Sequence, residues 1–223
     1  MDVCPWRDGP RWPTLTLMST RIRRHLVAFT VAVAALAASA PSASAGLLVE
    51  SAKNCVSGPI SNPFTPWGDR ANYELAPGGA FEAGQPSWQL SRASIVNENE
   101  PWKVHGAGDT RSVKLPPGAT ATSPVMCVGI EHPTLRLFAR NNRALLSTLT
   151  VEVIFETSLG LKASLPVGVL LPSGKWKPSP RFLVIANLLP LLPGEKTPVQ
   201  FRVRSVGLGT WWVDDFYVDP RCR

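Results

Sequence analysis

After residue 45 the sequence has no apolar stripe that completes three helical turns. Eighteen of the 22 prolines and 16 of the 17 glycines fall there and interrupt each one, so a helical domain is excluded. Long hydrophobic runs are also lacking: Leu26 to Ala38 is 13 residues, short of the roughly 20 a bilayer span needs, and no membrane span is expected. No G-x-S-x-G or H-E-x-x-H motif occurs, and beyond residue 45 the only histidines are His105 and His132, both read as structural or solvated. No C-x-x-C spacing is present, which excludes a cysteine-bound zinc. The basic residues are scattered singly (Lys103, Lys114, Arg136, Arg140, Arg202), so the high pI is no nucleic-acid footprint.

What is present begins with an export signal. Arg21, Arg23 and Arg24 form a basic block, Leu26 to Ala38 an apolar one, and Ala43-Ser44-Ala45 a small-residue cleavage site. Residues 1–17 read as a non-native extension ahead of Met18, residues 18–45 as the signal peptide, and Gly46 as the mature N-terminus, so the protein is expected to be secreted. Residues 1–45 carry five of the 23 Lys+Arg and two of the 16 Asp+Glu, leaving a formal charge of +4 on the remainder. That remainder holds Cys55, Cys127 and Cys222. In an oxidising compartment one pair and one leftover is the simplest count, and Cys55 with Cys127 is the expected disulfide, because Cys222 is penultimate.

Residues 46–75 read as a loop-rich N-terminal strap carrying Phe64 and Trp67, and residues 76–223 as one domain. Short strand candidates bounded by Gly, Pro, Asn or Ser run through it: Trp88 to Ile95, Ser112 to Leu115, Pro124 to Ile130, Thr134 to Arg140, Thr148 to Glu156 and Val199 to Ser205. Thr148 to Glu156 alternates most clearly, with Leu149, Val151, Val153 and Phe155 on one face. Phe182 to Leu192 reads as a central strand leading into a buried loop, or as an exposed apolar patch. The predicted fold is all-β, two antiparallel sheets packed face to face.

The last strand candidate, Trp211 to Pro220, joins strong β-formers to adjacent carboxylates, Asp214 and Asp215. A buried carboxylate must be paired, solvated or metal-bound. Far upstream, Pro77-Gly78-Gly79-Ala80-Phe81-Glu82 reads as a glycine-led short strand ending in a carboxylate, with Trp88 six residues on. Together these motifs resemble the galactose-binding-like β-jelly rolls of carbohydrate-binding modules. The span Ala76 to Pro220, through segments such as Asn99-Glu100-Pro101-Trp102 and Trp212-Val213-Asp214-Asp215, also looks like a family of small secreted bacterial proteins of uncharacterised function. The resemblance implies a structural calcium held by Glu82 and Asp214 with a backbone carbonyl near Ala80. Calcium's preference for carboxylate and carbonyl oxygen agrees. Asp215 alternates to the other face and is expected to be solvated or paired with an arginine.

Sugar binding needs aromatic faces to stack on pyranose rings. Trp67, Trp102 and Trp176, in polar, proline-rich loops, are the candidates, whereas Trp88, Trp211 and Trp212 sit in strand runs. The carboxylate pairs Glu98 with Glu100 and Glu152 with Glu156 read as solvated faces rather than a hydrolytic pair. The expectation is a secreted, non-catalytic module with glycan as its partner and a structural calcium. The alternative is a structural or interaction protein of the exported proteome that binds no sugar.

Overall fold

The computed structural model describes residues 58–129, 134–157, 160–184 and 196–219. The expected extension, signal peptide, Cys55, Cys222, His132 and most of Phe182 to Leu192 lie outside them. Cys127 is not a free thiol, and its partner is outside the described residues.

The protein is a jelly-roll β-sandwich of two antiparallel sheets, with a 3-10 turn at Thr65–Trp67. The strands are β1 Ile60–Ser61, β2 Tyr73–Leu75, β3 Gln89–Ser91, β4 Ser94–Val96, β5 Ser112–Leu115, β6 Thr120–Thr122 and β7 Met126–Gly129. They continue as β8 Thr134–Asn141, β9 Ser147–Glu156, β10 Lys162–Leu170, β11 Lys177–Pro178, β12 Phe182–Leu183, β13 Lys196–Gly207 and β14 Trp211–Asp219. One sheet runs β1-β2-β14-β5-β4, with β8 on the other side of β14 and β11 and β12 beyond β8; the second runs β10-β9-β13-β6-β3, with β7 also on β13.

Period-two patterning builds the core. Leu149, Val151, Val153 and Phe155 of β9, Phe201 and Val203 of β13, and Leu135, Leu137 and Ala139 of β8 all point between the sheets. A second cluster, Phe64, Ala71, Tyr73, Phe138 and Tyr217, covers the outer face of the β14 sheet. It draws the described part of the expected strap into the fold, because β2 pairs with β14 at Tyr217↔Leu75 and Val218↔Glu74. Asp69 locks that segment down. It accepts hydrogen bonds from Tyr73 Oη (2.7 Å), Arg136 Nη1 (2.8 Å), Arg181 Nε (2.9 Å) and Nη2 (2.6 Å).

Two local expectations are corrected. Trp88 to Ile95 is not one strand: Arg92 has φ +55°, and there the chain leaves the second sheet at β3 and enters the first at β4. Residues 77–82 are not a strand either but a turn, because Gly78 (φ +66°) and Phe81 (φ +56°) are incompatible with an extended run. A Cβ on Gly78 would lie 1.9 Å from the Pro86 carbonyl oxygen, so only glycine fits. The turn packs on β14 as its sequence suggests: Ala76 N donates to Phe216 O (2.9 Å) and Phe216 N to Gly79 O (3.1 Å).

Candidate functional site

One edge of β14 is shared by two short strands. β5 faces Trp211 to Val213, β2 faces Tyr217 and Val218, and Asp214, Asp215 and Phe216 fill the gap between them. On the opposite edge the pairing with β8 slips between Asp214 and Tyr217, a β-bulge, and Asp215 takes φ +50°. The bulge overrides strict alternation. Asp215 is therefore neither solvated nor paired with arginine, as the alternation predicts, but fully buried, as is Asp214.

Into the same gap come two loop acids that sequence reasoning missed. Glu100 and Asp109 are buried, and together with Asp215 they bring one carboxylate oxygen each within 4.8 Å of one another. Both oxygens of Asp215 and both of Asp109 are shut from solvent without a hydrogen bond of ordinary geometry. Burial, then the charges of neighbouring acids, pushes Asp214 and Asp215 well above the usual carboxylate range, and burial with the adjacent Glu82 pushes Asp109 up to about 7. A cluster of hard oxygen donors held against its own repulsion fits one divalent hard cation, since softer metals favour nitrogen and sulfur.

The expected ligands take different places around this cluster. Glu82 lies beside Asp109, and Glu82 Oε1 accepts hydrogen bonds from Thr110 N (2.6 Å) and Arg111 N (2.7 Å). Burial works upward on it, but those donors hold Glu82 below its ordinary range. Asp214 spends its oxygens on Asp215 N (2.9 Å) and Glu100 N (3.4 Å), so it positions the bulge and the Glu100 loop. Ala80 is buried in the adjoining turn. Glu100 and Asp109 gave little signal: one sits between Asn99 and Pro101, the other closes the Gly106-Ala107-Gly108 loop, and neither belongs to a periodic element. The reading of Glu100 and Glu152 as solvated is corrected as well. Both are buried, Glu152 in an ion pair with Arg202, whereas Glu98 keeps a partly exposed side chain that pairs with Arg140.

The three loop tryptophans converge on the outer face of the β14 sheet. Trp67 meets Trp102 edge-on (4.9 Å between centroids) and Phe138 (5.2 Å), Trp102 lies 5.7 Å from Phe138, and Trp176 packs against the same cluster. Trp102 is 45% exposed. Trp212, read as a strand tryptophan, extends this face: the Arg140 guanidinium lies 3.8 Å from its ring centre and 5.8 Å from that of Trp176. Glu100 joins the face to the acid cluster, accepting hydrogen bonds from Trp102 N and from Val104 N (2.7 Å). Across the molecule, the second sheet carries a shallow groove of about 310 Å³ lined by Gln89, Thr122, Lys162, Ser164, Gln200 and Arg202, without an aromatic ring.

No protein-family model and no curated protein matches this chain. Among solved structures it is similar to the TmCBM61 module in complex with β-1,4-galactotriose, at 16% identity and a TM-score of 0.36, over 63% of this chain and 94% of that one. It is similar also to a family 29 carbohydrate-binding module in complex with mannohexaose (11%, TM-score 0.39, 68% and 93%). A third is the CBM22-1-GH10 portion of Clostridium thermocellum xylanase 10B with xylohexaose (12%, TM-score 0.41, 60% of this chain but 26% of that one). At these identities and TM-scores the likeness assigns neither a family nor a ligand.

Proposed function

We propose that this chain is a secreted, non-catalytic glycan-binding module with a structural calcium. The observation that carries the glycan reading is the convergence of Trp67, Trp102 and Trp176 on one partly exposed aromatic face, flanked by the ion pair of Arg140 with Glu98. Rings supply stacking for pyranose faces, and the charged pair supplies donors and acceptors for hydroxyls. The non-catalytic reading is supported by the burial of Glu100, Asp109, Asp214 and Asp215, since a substrate bond has no access to acids sealed beneath loops. Glu100, Asp109 and Asp215 would hold the cation, with Glu82 alongside, and the cation would supply the positive charge that lets them ionise together.

A glycan array followed by affinity electrophoresis in cell-envelope polysaccharide tests the reading. Trp102→Ala is expected to abolish retardation while the domain still folds, whereas Arg202→Ala in the opposite groove leaves retardation intact. Retardation lost with Arg202→Ala and kept with Trp102→Ala would place any sugar on the other sheet. No retardation by any glycan would leave the alternative, an interaction protein that binds no sugar.

A further inference from the structure

Four leucines stand almost wholly in solvent: Leu145 (87% exposed), Leu146 (76%), Leu171 (75%) and Leu208 (74%). No other large apolar side chain among the described residues exceeds 64%, so they form a class apart. All four belong to connections at one pole of the sandwich, β8 to β9, β10 to β11 and β13 to β14. Backbone hydrogen bonds tie these connections together. Leu208 N donates to Leu146 O (2.9 Å), Asn142 N to Thr210 O (3.1 Å) and Asn141 N to Ser173 O (2.8 Å). The leucines are thus displayed on a fixed frame rather than on loose loops.

The charge within these connections has one sign. Residues 141–147, 171–177 and 206–211 contain Arg143, Lys175 and Lys177 and not one Asp or Glu. Arg143, Lys175 and Lys177 line a shallow cavity of about 480 Å³ with Leu145 and Pro172. A single exposed leucine is ordinary, but a cluster of them beside cations marks an interaction surface. A second copy of this chain is a poor occupant, because a two-fold contact would set the same three cations against each other. A sugar is poor as well, since the leucines offer its hydroxyls nothing. An anionic lipid surface satisfies both features, taking the leucines into the acyl boundary and the cations at its headgroups.

We propose that this pole docks the protein on anionic membranes as a peripheral attachment. It is independent of the glycan reading. The test is co-sedimentation of the chain from residue 46 onward with vesicles of phosphatidylcholine alone or mixed with phosphatidylglycerol. Binding is expected only to the mixed vesicles, and more weakly at high salt. Leu145→Ser, Leu146→Ser and Leu208→Ser should each lower partitioning by about ten-fold, and Lys175→Gln and Lys177→Gln by about five-fold each. Leu183→Ser, an exposed leucine of β12, should change nothing. All these side chains are exposed, so unchanged melting temperatures verify that the variants fold. Absence of binding to mixed vesicles overturns the proposal, as does equal binding by the leucine variants. Light scattering that shows a dimer abolished by the leucine changes, with vesicles ignored, would make a second copy the occupant and overturn it too.

Discussion

Asp215 is the residue at which local rules and tertiary structure part. In an unbroken strand it would face away from Asp214; the bulge and a left-handed φ turn it inward, next to Asp109 and Glu100. A non-glycine residue held in that region is strained, and such strain persists at sites that use it. Replacing Asp215 with Asn removes one buried charge from a mutually repelling set. We expect Asp215→Asn to melt higher than the wild type in chelator and to lose its response to added calcium. Calorimetry with and without chelator decides this, and a calcium response equal to the wild type would show that Asp215 is no ligand. Asp69 presents the opposite electrostatics. Burial works to raise its pKa, but Arg181, Tyr73, the Ala71 amide and Arg136 hold it below the usual carboxylate range. A depressed folded pKa gives stability that is present above the unfolded value near 4 and is lost as pH falls below it. Asp69→Asn, which strands the buried Arg136, should cost about 3 kcal/mol at neutral pH and flatten the acid limb of the stability profile, measured by urea unfolding between pH 3 and 7. An acid limb as steep as the wild type's would rule Asp69 out as its source.

Among the elements, those with clean alternation were legible: β5 has the bounds expected for it, β8, β9 and β14 differ by one residue, and β13 runs three residues further at its start and two at its end. What escaped was structure decided by partners. β10 contains Pro166 and Gly168, which argue against a strand interior. It is tolerated because β10 lies at the sheet edge, with a register shift between those residues, and because Gly168 makes room for the Phe182 ring. β3 and β4 were hidden by a corner at Arg92 that no periodicity announces. The site divides the same way. Asp214, Glu82 and the three tryptophans stood out by composition, whereas Glu100 and Asp109 matter only because the gap beside β14 gathers them. Glu100 is also the link between the acid cluster and the aromatic face, since it accepts the amides of Trp102 and Val104. Glu100→Ala would leave both N–H groups without a partner, at about 1 kcal/mol or more each, and loosen the loop that presents Trp102. Glycan retardation should fall several-fold, with a red shift in tryptophan emission. Full retardation in Glu100→Ala would show that the loop does not depend on this residue.

At the scale of the whole molecule, the acid cluster lies where the sandwich is joined end to end. It gathers Glu100 and Asp109, both from the β4 to β5 connection, and Asp215 from the closing strand, against a turn that leads out of β2. Opening the sandwich separates these segments, so the unfolded chain has no such site and a cation bound there acts on the folded state alone. Its stabilisation is RT ln(1 + [L]/Kd), about 2.7 kcal/mol when free calcium is a hundred times Kd. In a domain of this size 1 kcal/mol moves the melting temperature by about 2–4 °C. Saturating calcium should therefore raise it by about 5–10 °C over chelated protein, while magnesium, which demands a smaller and stricter octahedral shell, raises it less. Asp214→Asn, which keeps the acceptor for one amide and leaves the Asp215, Asp109 and Glu100 oxygens in place, should retain most of the calcium shift. Melting temperatures that do not change on chelation, together with no calcium by elemental analysis of protein purified without chelator, would mean that the buried acids are held by shared protons rather than by a metal ion.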